Sequence, residues 1–120
     1  TRRSSDLSDW LIGHDNEPSA AMKAYIASEG LDFGMASPSR YADAMRKAGF
    51  GNIETRSRNA WYCEAAEQEI QAMKGPLYAN AATELGQEFV DHNIKIWSNM
   101  LTVLKSGEHC PTHLRAQKSA

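Results

Sequence analysis

The run Leu7-Ser8-Asp9-Trp10-Leu11, followed by Gly13, reads as the end of a β-strand that carries an active-site carboxylate on Asp9. Open α/β sheets hold their ligands outside the carboxyl ends of the strands, and a carboxylate placed there can orient and desolvate an ammonium group. A loop carboxylate bonded to nearby backbone amides is the structural alternative for the same residue. His14 follows in the next loop and offers a general base beside Asp9, with a solvated loop imidazole as its alternative.

Other chemistries find fewer residues. His109 and His113 stand four apart, but in a segment that reads as extended and is interrupted by Pro111, so neither they nor His14 and His92 predict a metal site. Cys63 and Cys110 lack CxxC spacing, which fits a reducing compartment, and Cys63 stands next to Glu64 with no activating cation in view. No Ser/His/Asp or Cys/His set emerges, which sets hydrolases aside. The eight glycines never fall at the spacing of a Gly-rich turn between a strand and a helix, the usual cradle for a nucleotide-like ligand.

The elements that must position Asp9 can be read along the chain. Glu17-Pro18-Ser19 starts a helix in which Met22, Tyr25 and Ile26 recur at helical spacing until Gly30. Residues 31–36 alternate, with Leu31, Phe33 and Met35 on one face, which predicts a half-buried strand. Ser37-Pro38 supplies an N-cap and a proline at the first helical position, ahead of a stripe of Tyr41, Ala44, Met45 and Ala48. A strand is expected over 52–57. The segment 60–74 is rich in good helix formers and is broken by Gly75-Pro76, with a shorter helix to Gly86 beyond. The longest helix follows, with Phe89, Val90, Ile94, Trp97, Leu101 and Leu104 as its apolar stripe. Trp10 and this stripe are read as core. From His109 to Lys118 the chain is expected to return to the sheet as its final strand.

At 120 residues the chain is expected to form one domain, with 1–6 as a polar lead, 7–118 as the domain and 119–120 as a tail. A net charge of -2 gives no field that would gather nucleic acid, and Arg2, Arg3, Arg46, Arg56 and Arg58 read as solvated surface among acidic neighbours. No run approaches the roughly 20 apolar residues that span a bilayer, so no membrane partner and a cytoplasmic location are expected.

Three ordered segments resemble class I S-adenosylmethionine-dependent methyltransferases: Leu7 to Leu11, Met35-Ala36-Ser37-Pro38 leading to Tyr41, and Ala48-Gly49-Phe50 before Asn52-Ile53-Glu54. Within that superfamily, Arg58-Asn59-Ala60-Trp61-Tyr62, Lys74-Gly75-Pro76-Leu77 and the closing Ser106-Gly107-Glu108 to His113-Leu114-Arg115-Ala116 are similar to the C-terminal part of small-molecule N-methyltransferases related to phosphoethanolamine and glycine-sarcosine methyltransferases. The resemblance implies an α/β fold, α+β as an isolated piece. It further implies a partial Rossmann-like sheet of about three to four strands with a final antiparallel strand, lacking the N-terminal cofactor-binding strands.

In function, the resemblance implies transfer of a methyl group from S-adenosylmethionine to a small polar amine. Asp9 would lie near the reacting amine. Phe33, Trp61 and Tyr62 would wall the amine pocket, since aromatic faces attract cations, with core packing as their alternative. Arg115 would hold an acidic group of the substrate through its guanidinium fork, with an exposed edge arginine as the alternative. Because the Gly-rich loop is missing, the chain alone is expected to bind no S-adenosylmethionine and to be inactive alone. The alternative is a non-catalytic, homo-oligomeric module for a small ligand or a protein partner. A sheet with an open edge predicts a homodimer or pairing with a missing N-terminal half.

Overall fold

Alternation in the C-terminal segment makes the last strand the centre of the sheet. In β3 (Thr112–Lys118), Thr112, Leu114 and Ala116 are buried while His113 and Arg115 are exposed. A computed structural model describes residues 3–118; Thr1 and Arg2 of the polar lead, and the 119–120 tail, lie outside the described residues. β3 is flanked by β1 (Arg3–Asp9) and β2 (Phe50–Ser57), both antiparallel to it, in the order β1-β3-β2. Leu7 and Thr55 stand opposite Leu114 from the two sides, and Asp9 stands opposite Thr112. The sheet is therefore a mixed α/β arrangement in which the final strand is antiparallel, as the resemblance implied. β1 takes in residues 3–6 ahead of the apolar run, and β2 begins at Phe50, two residues before the expected start, with a register shift between Gly51 and Glu54 around the positive φ of Asn52.

Between β1 and β2 the chain forms α1 (Ala20–Ser28) and α2 (Pro38–Lys47). Ser19 and Ser37 cap them by accepting from the amides of Met22 and Arg40 at 3.1 and 3.2 Å, and Pro38 opens α2. The strand expected over 31–36 does not form. Gly30, at φ +73°, turns the chain away from α1, and both sides of β3 are already taken by β1 and β2. The segment instead crosses the end of β1, where Ala36 accepts from the Ile12 amide at 3.0 Å. Alternation there reports burial and not pairing: Phe33 and Met35 pack on the helical core while Leu31 is 67% exposed.

After β2 come α3 (Asn59–Lys74), α4 (Tyr78–Leu85) and α5 (Gln87–Lys105). α5 buries Val90, Met100, Val103 and Leu104, whereas Phe89, expected in its buried stripe, is exposed at the α4 end. In α2 the buried residues are Ala42 and Met45, and Ala44 and Ala48 face solvent.

Two cores result. Ile12, Met22, Tyr25, Ala66, Met100, Val103 and Leu104 join α1, α3 and α5, while Leu11, Met45, Leu114 and Ala116 join α2 to the sheet. The shape is elongated, 54 × 32 × 23 Å with a radius of gyration of 17.3 Å, against about 14 Å for a compact chain of this length. α4 packs mainly on α5 and α3 and buries none of its residues. No helix among the described residues is long and apolar enough to cross a membrane.

Candidate functional site

β1 ends at Asp9, and the chain then turns inward, so that Leu11 is fully buried under the sheet edge while Trp10 stays 38% exposed. Trp10 is thus a wall rather than the core residue the sequence suggested. Asp9 is held from two sides. Its Oδ1 accepts from the Trp10 amide at 2.8 Å, and its Oδ2 accepts the hydroxyl hydrogen of Tyr41 from α2. That hydrogen bond, with burial and the carboxylate charge adding to it, raises the Tyr41 phenol above its ordinary value and keeps it a donor.

Asp9, Trp10, Glu29, Leu31, Phe33 and Tyr41, with residues 34–36, line a cavity of about 520 Å³. No lysine, arginine or histidine lines it. Trp10 lies 6.3 Å from Phe33, ring centre to ring centre, and meets His109 edge-on at 5.5 Å. Behind it Tyr25 and His109 are fully buried, 5.4 Å apart; the Tyr25 hydroxyl approaches the Glu29 carboxylate and the His109 ring the Leu11 backbone, but neither contact reaches good hydrogen-bond geometry. Burial pushes His109 down to about 4, only partly opposed by the Leu11 backbone, so its imidazole is neutral. Burial, reinforced by the Glu29 carboxylate, pushes the Tyr25 phenol up.

His14 stands elsewhere. Its Nε2 lies 2.8 Å from Glu108 Oε2, and its Nδ1 accepts from the Asn16 amide at 3.1 Å, so both ring nitrogens are engaged. Glu108 also takes the Ser19 amide at 2.9 Å and the Ser19 hydroxyl. Burial would raise its carboxyl, but the Ser19 hydroxyl, the Ser19 amide and His14 outweigh it and hold the group below the usual carboxylate range. The cluster ties the loop after β1 to the turn before β3.

Trp61 and Tyr62 form an edge-on pair at 5.0 Å near the start of α3. Trp61 is 54% exposed under the Arg58 guanidinium at 5.5 Å, and Tyr62 packs against the helical core. Arg115 lies on the outer face of the sheet, between Asp6 and Glu54. The structure therefore brings together Asp9 and Phe33 of the sequence-derived set. His14, Trp61, Tyr62 and Arg115 do not line the cavity.

Trp10, Glu29 and Tyr41 complete the site without having been singled out for it. A tyrosine within an apolar stripe was the available signal for Tyr41, because its hydroxyl needs a partner. Glu29 gives none, since only the tertiary fold carries the end of α1 back to the end of β1. Among the described residues no three His, Cys, Asp or Glu side chains gather as metal ligands would.

Comparison with solved structures decides the fold. The Haemonchus contortus phosphoethanolamine N-methyltransferase 2 in complex with phosphomonomethylethanolamine and S-adenosylhomocysteine matches 98% of this chain with a TM-score of 0.84 at 16% identity. A selenomethionine form of the same enzyme in complex with S-adenosyl-L-methionine matches 98% of it with a TM-score of 0.79 at 18% identity. The chain shares the fold of one part of these methyltransferase chains. It spans 26% of the length of each of these methyltransferase chains. No family model and no curated protein sequence matches it.

Neither strand-to-helix turn among the described residues has room for the methyl donor of such a fold. The described residues offer two places where a strand leads on towards a helix. β2 enters α3 through Arg58, whose amide donates to the Pro111 carbonyl at 2.7 Å, and Asn59 donates to the carbonyls of Leu104 and His109 at 2.8 Å each. That turn is filled by protein. After β1, Gly13 faces the Gly107 carbonyl oxygen, 2.7 Å from where a Cβ would sit, so its missing side chain admits backbone and not a ligand.

Proposed function

We propose that this chain forms the acceptor side of an S-adenosylmethionine-dependent N-methyltransferase and holds a small amine at Asp9, the methyl donor being bound by residues outside it. One observation carries the reading. The strand-end carboxylate is fixed by two donors and opens onto an aromatic-walled cavity of about 520 Å³.

A carboxylate has about four lone-pair sites, so Asp9 keeps one free on each oxygen after serving the Trp10 amide and the Tyr41 hydroxyl. An ammonium group donates to those sites, and the two internal bonds set the carboxylate's orientation before the amine arrives. Trp10, Phe33 and Tyr41 replace water around the cation with aromatic surface, which favours it by about 0.5–2 kcal/mol per well-placed ring. Binding and orientation of the amine are what these residues supply.

Calorimetric titration with ethanolamine tests the reading. Saturable binding that is lost in Asp9→Asn supports it, and unchanged affinity in Asp9→Asn removes the site. Saturable binding of S-adenosylmethionine to this chain would overturn the placement of the donor outside it. The poor fit to the donor favours a second reading, an amine-binding module without catalysis. The two part when the chain is assayed together with a donor-binding partner: methyl transfer to an amine selects the first.

A further inference from the structure

We infer that two copies of this chain pair along the outer edge of β2, antiparallel about Thr55, with Glu54 of each copy against Arg56 of the other. The order of charges along and across the strands carries this, independently of the amine site.

β3 fixes the face to which each β2 side chain belongs. Thr55 stands opposite the buried Leu114, whereas Glu54 stands opposite Arg115 and Arg56 opposite His113 on the exposed outer face. Asp6 stands opposite Arg115 from the other side, so the charges alternate in sign from Asp6 through Arg115 to Glu54 across the three strands. Among the described residues no strand pairs with the far edge of β2, and Glu54, Thr55, Arg56 and Ser57 are all exposed. The regular stretch of that edge is bounded on both sides. The register shift between Gly51 and Glu54, around the positive φ of Asn52, ends it at one side, and α3 begins at Asn59 on the other.

A two-fold axis at Thr55 sets Glu54 against Arg56 twice, Thr55 against Thr55, and Ile53 against Ser57. Opposite charges and facing threonines are among the cross-strand pairs that stabilise an antiparallel ladder. The alternation of charge then runs on, with Asp6, Arg115 and Glu54 of one copy followed by Arg56 of the other. Neighbouring registers lose this match. An axis at Glu54 opposes two glutamates, an axis at Arg56 opposes two arginines, and a slip by one residue turns the side chains of one copy to the wrong face. Parallel pairing in register would also set Glu54 on Glu54. The edge is therefore its own complement in one orientation and one register, as a two-fold interface between identical chains requires. An interface confined to one short edge is small, so association is expected only at high protein concentration.

Sedimentation equilibrium of the purified chain tests this. The parent should dimerise reversibly as its concentration is raised towards about 1 mM. Glu54→Arg alone and Arg56→Glu alone should each weaken self-association about tenfold or more, because each sets like charges opposite one another at both symmetric pairs. Mixing the two variants should restore association, since one copy then offers two arginines to the two glutamates of the other. Should either reversal fail to fold, as judged by circular dichroism, Arg56→Gln carries the test, with a loss of about threefold expected. A parent that stays monomeric up to about 1 mM would overturn the inference and leave the edge to other protein segments. Dimers that the reversals leave unchanged, or a mixture no more associated than either variant alone, would overturn it by placing the interface elsewhere.

Discussion

The hydroxyl of Tyr41, near the start of α2, donates to Oδ2 of Asp9 at the end of β1, and so a helix that packs on the sheet also sets the carboxylate at the carboxyl end of that strand. The ring of Tyr41 packs with Leu11, Met45 and Leu114, which gives the hydroxyl a fixed origin.

Tyr41→Phe keeps that packing and removes the donor. A hydrogen bond to a charged group at a half-exposed site contributes about 1 kcal/mol, so ethanolamine should bind about fivefold more weakly while the circular dichroism spectrum stays that of the parent. Parental affinity in the variant would remove Tyr41 from the site.

His109 should make stability fall on mild acidification. Its folded value, about 4, lies below the ordinary 6.5, so the unfolded chain takes up a proton that the folded chain refuses. The contribution is complete above 6.5 and is lost as pH drops towards 4, on the order of 3 kcal/mol in all. Glu108 acts lower: its depressed carboxyl stabilises the fold above the ordinary 4.5, and that share is lost as pH falls through the folded value. His109→Phe keeps an aromatic ring against Trp10 and Tyr25 and removes two unpaired buried nitrogens. Urea unfolding at about pH 7.5 and about pH 5 should show the parent losing stability over this interval and the variant staying nearly level. An equal loss in both would assign the slope to other groups.

Much of this architecture was legible because it depends on neighbours in sequence. Ser37-Pro38 announces α2, Gly75-Pro76 separates α3 from α4, and alternating Leu114 and Ala116 against His113 and Arg115 marks β3. Asp9 was legible for the same reason, as a strand-end acid. What failed depends on distant neighbours. Residues 31–36 alternate as a strand would but find no ladder, Trp10 looks like core until its exposed face is seen, and Glu29 joins the site only because α1 folds back onto β1. Arg115 and Tyr62 show the converse. A motif can fix a residue's place on its element, yet the side of the sheet or helix it faces follows from packing.

Asn59 holds two segments with one amide group, donating to the Leu104 and His109 carbonyls at 2.8 Å each. Asn59→Ala leaves both without this partner at the junction of α3, α5 and the turn into β3. A loss of about 2 kcal/mol in urea unfolding is expected, with a smaller effect on amine binding because the junction lies behind the cavity wall. A change below about 0.5 kcal/mol would mean that water replaces the amide readily.

Gly13→Ala tests how the wall itself is held. The added methyl would sit 2.7 Å from the Gly107 carbonyl oxygen, a backbone atom that cannot swing aside. Around it, Gly13 donates to the Glu108 carbonyl at 2.8 Å and Cys110 donates to the Leu11 carbonyl at 2.7 Å. Relief of the clash must part these two strands of chain, and they are the ones that carry Trp10 and His109 into edge-on contact. The variant should therefore lose about 1–3 kcal/mol of stability and bind ethanolamine more weakly at the same time. Gly51→Ala is the control, since nothing lies within 4 Å of its Cβ position. Weakened binding with undiminished stability in Gly13→Ala would point to direct contact between this loop and the amine, whereas lost stability with unchanged binding would show that the Trp10 wall does not depend on the turn before β3.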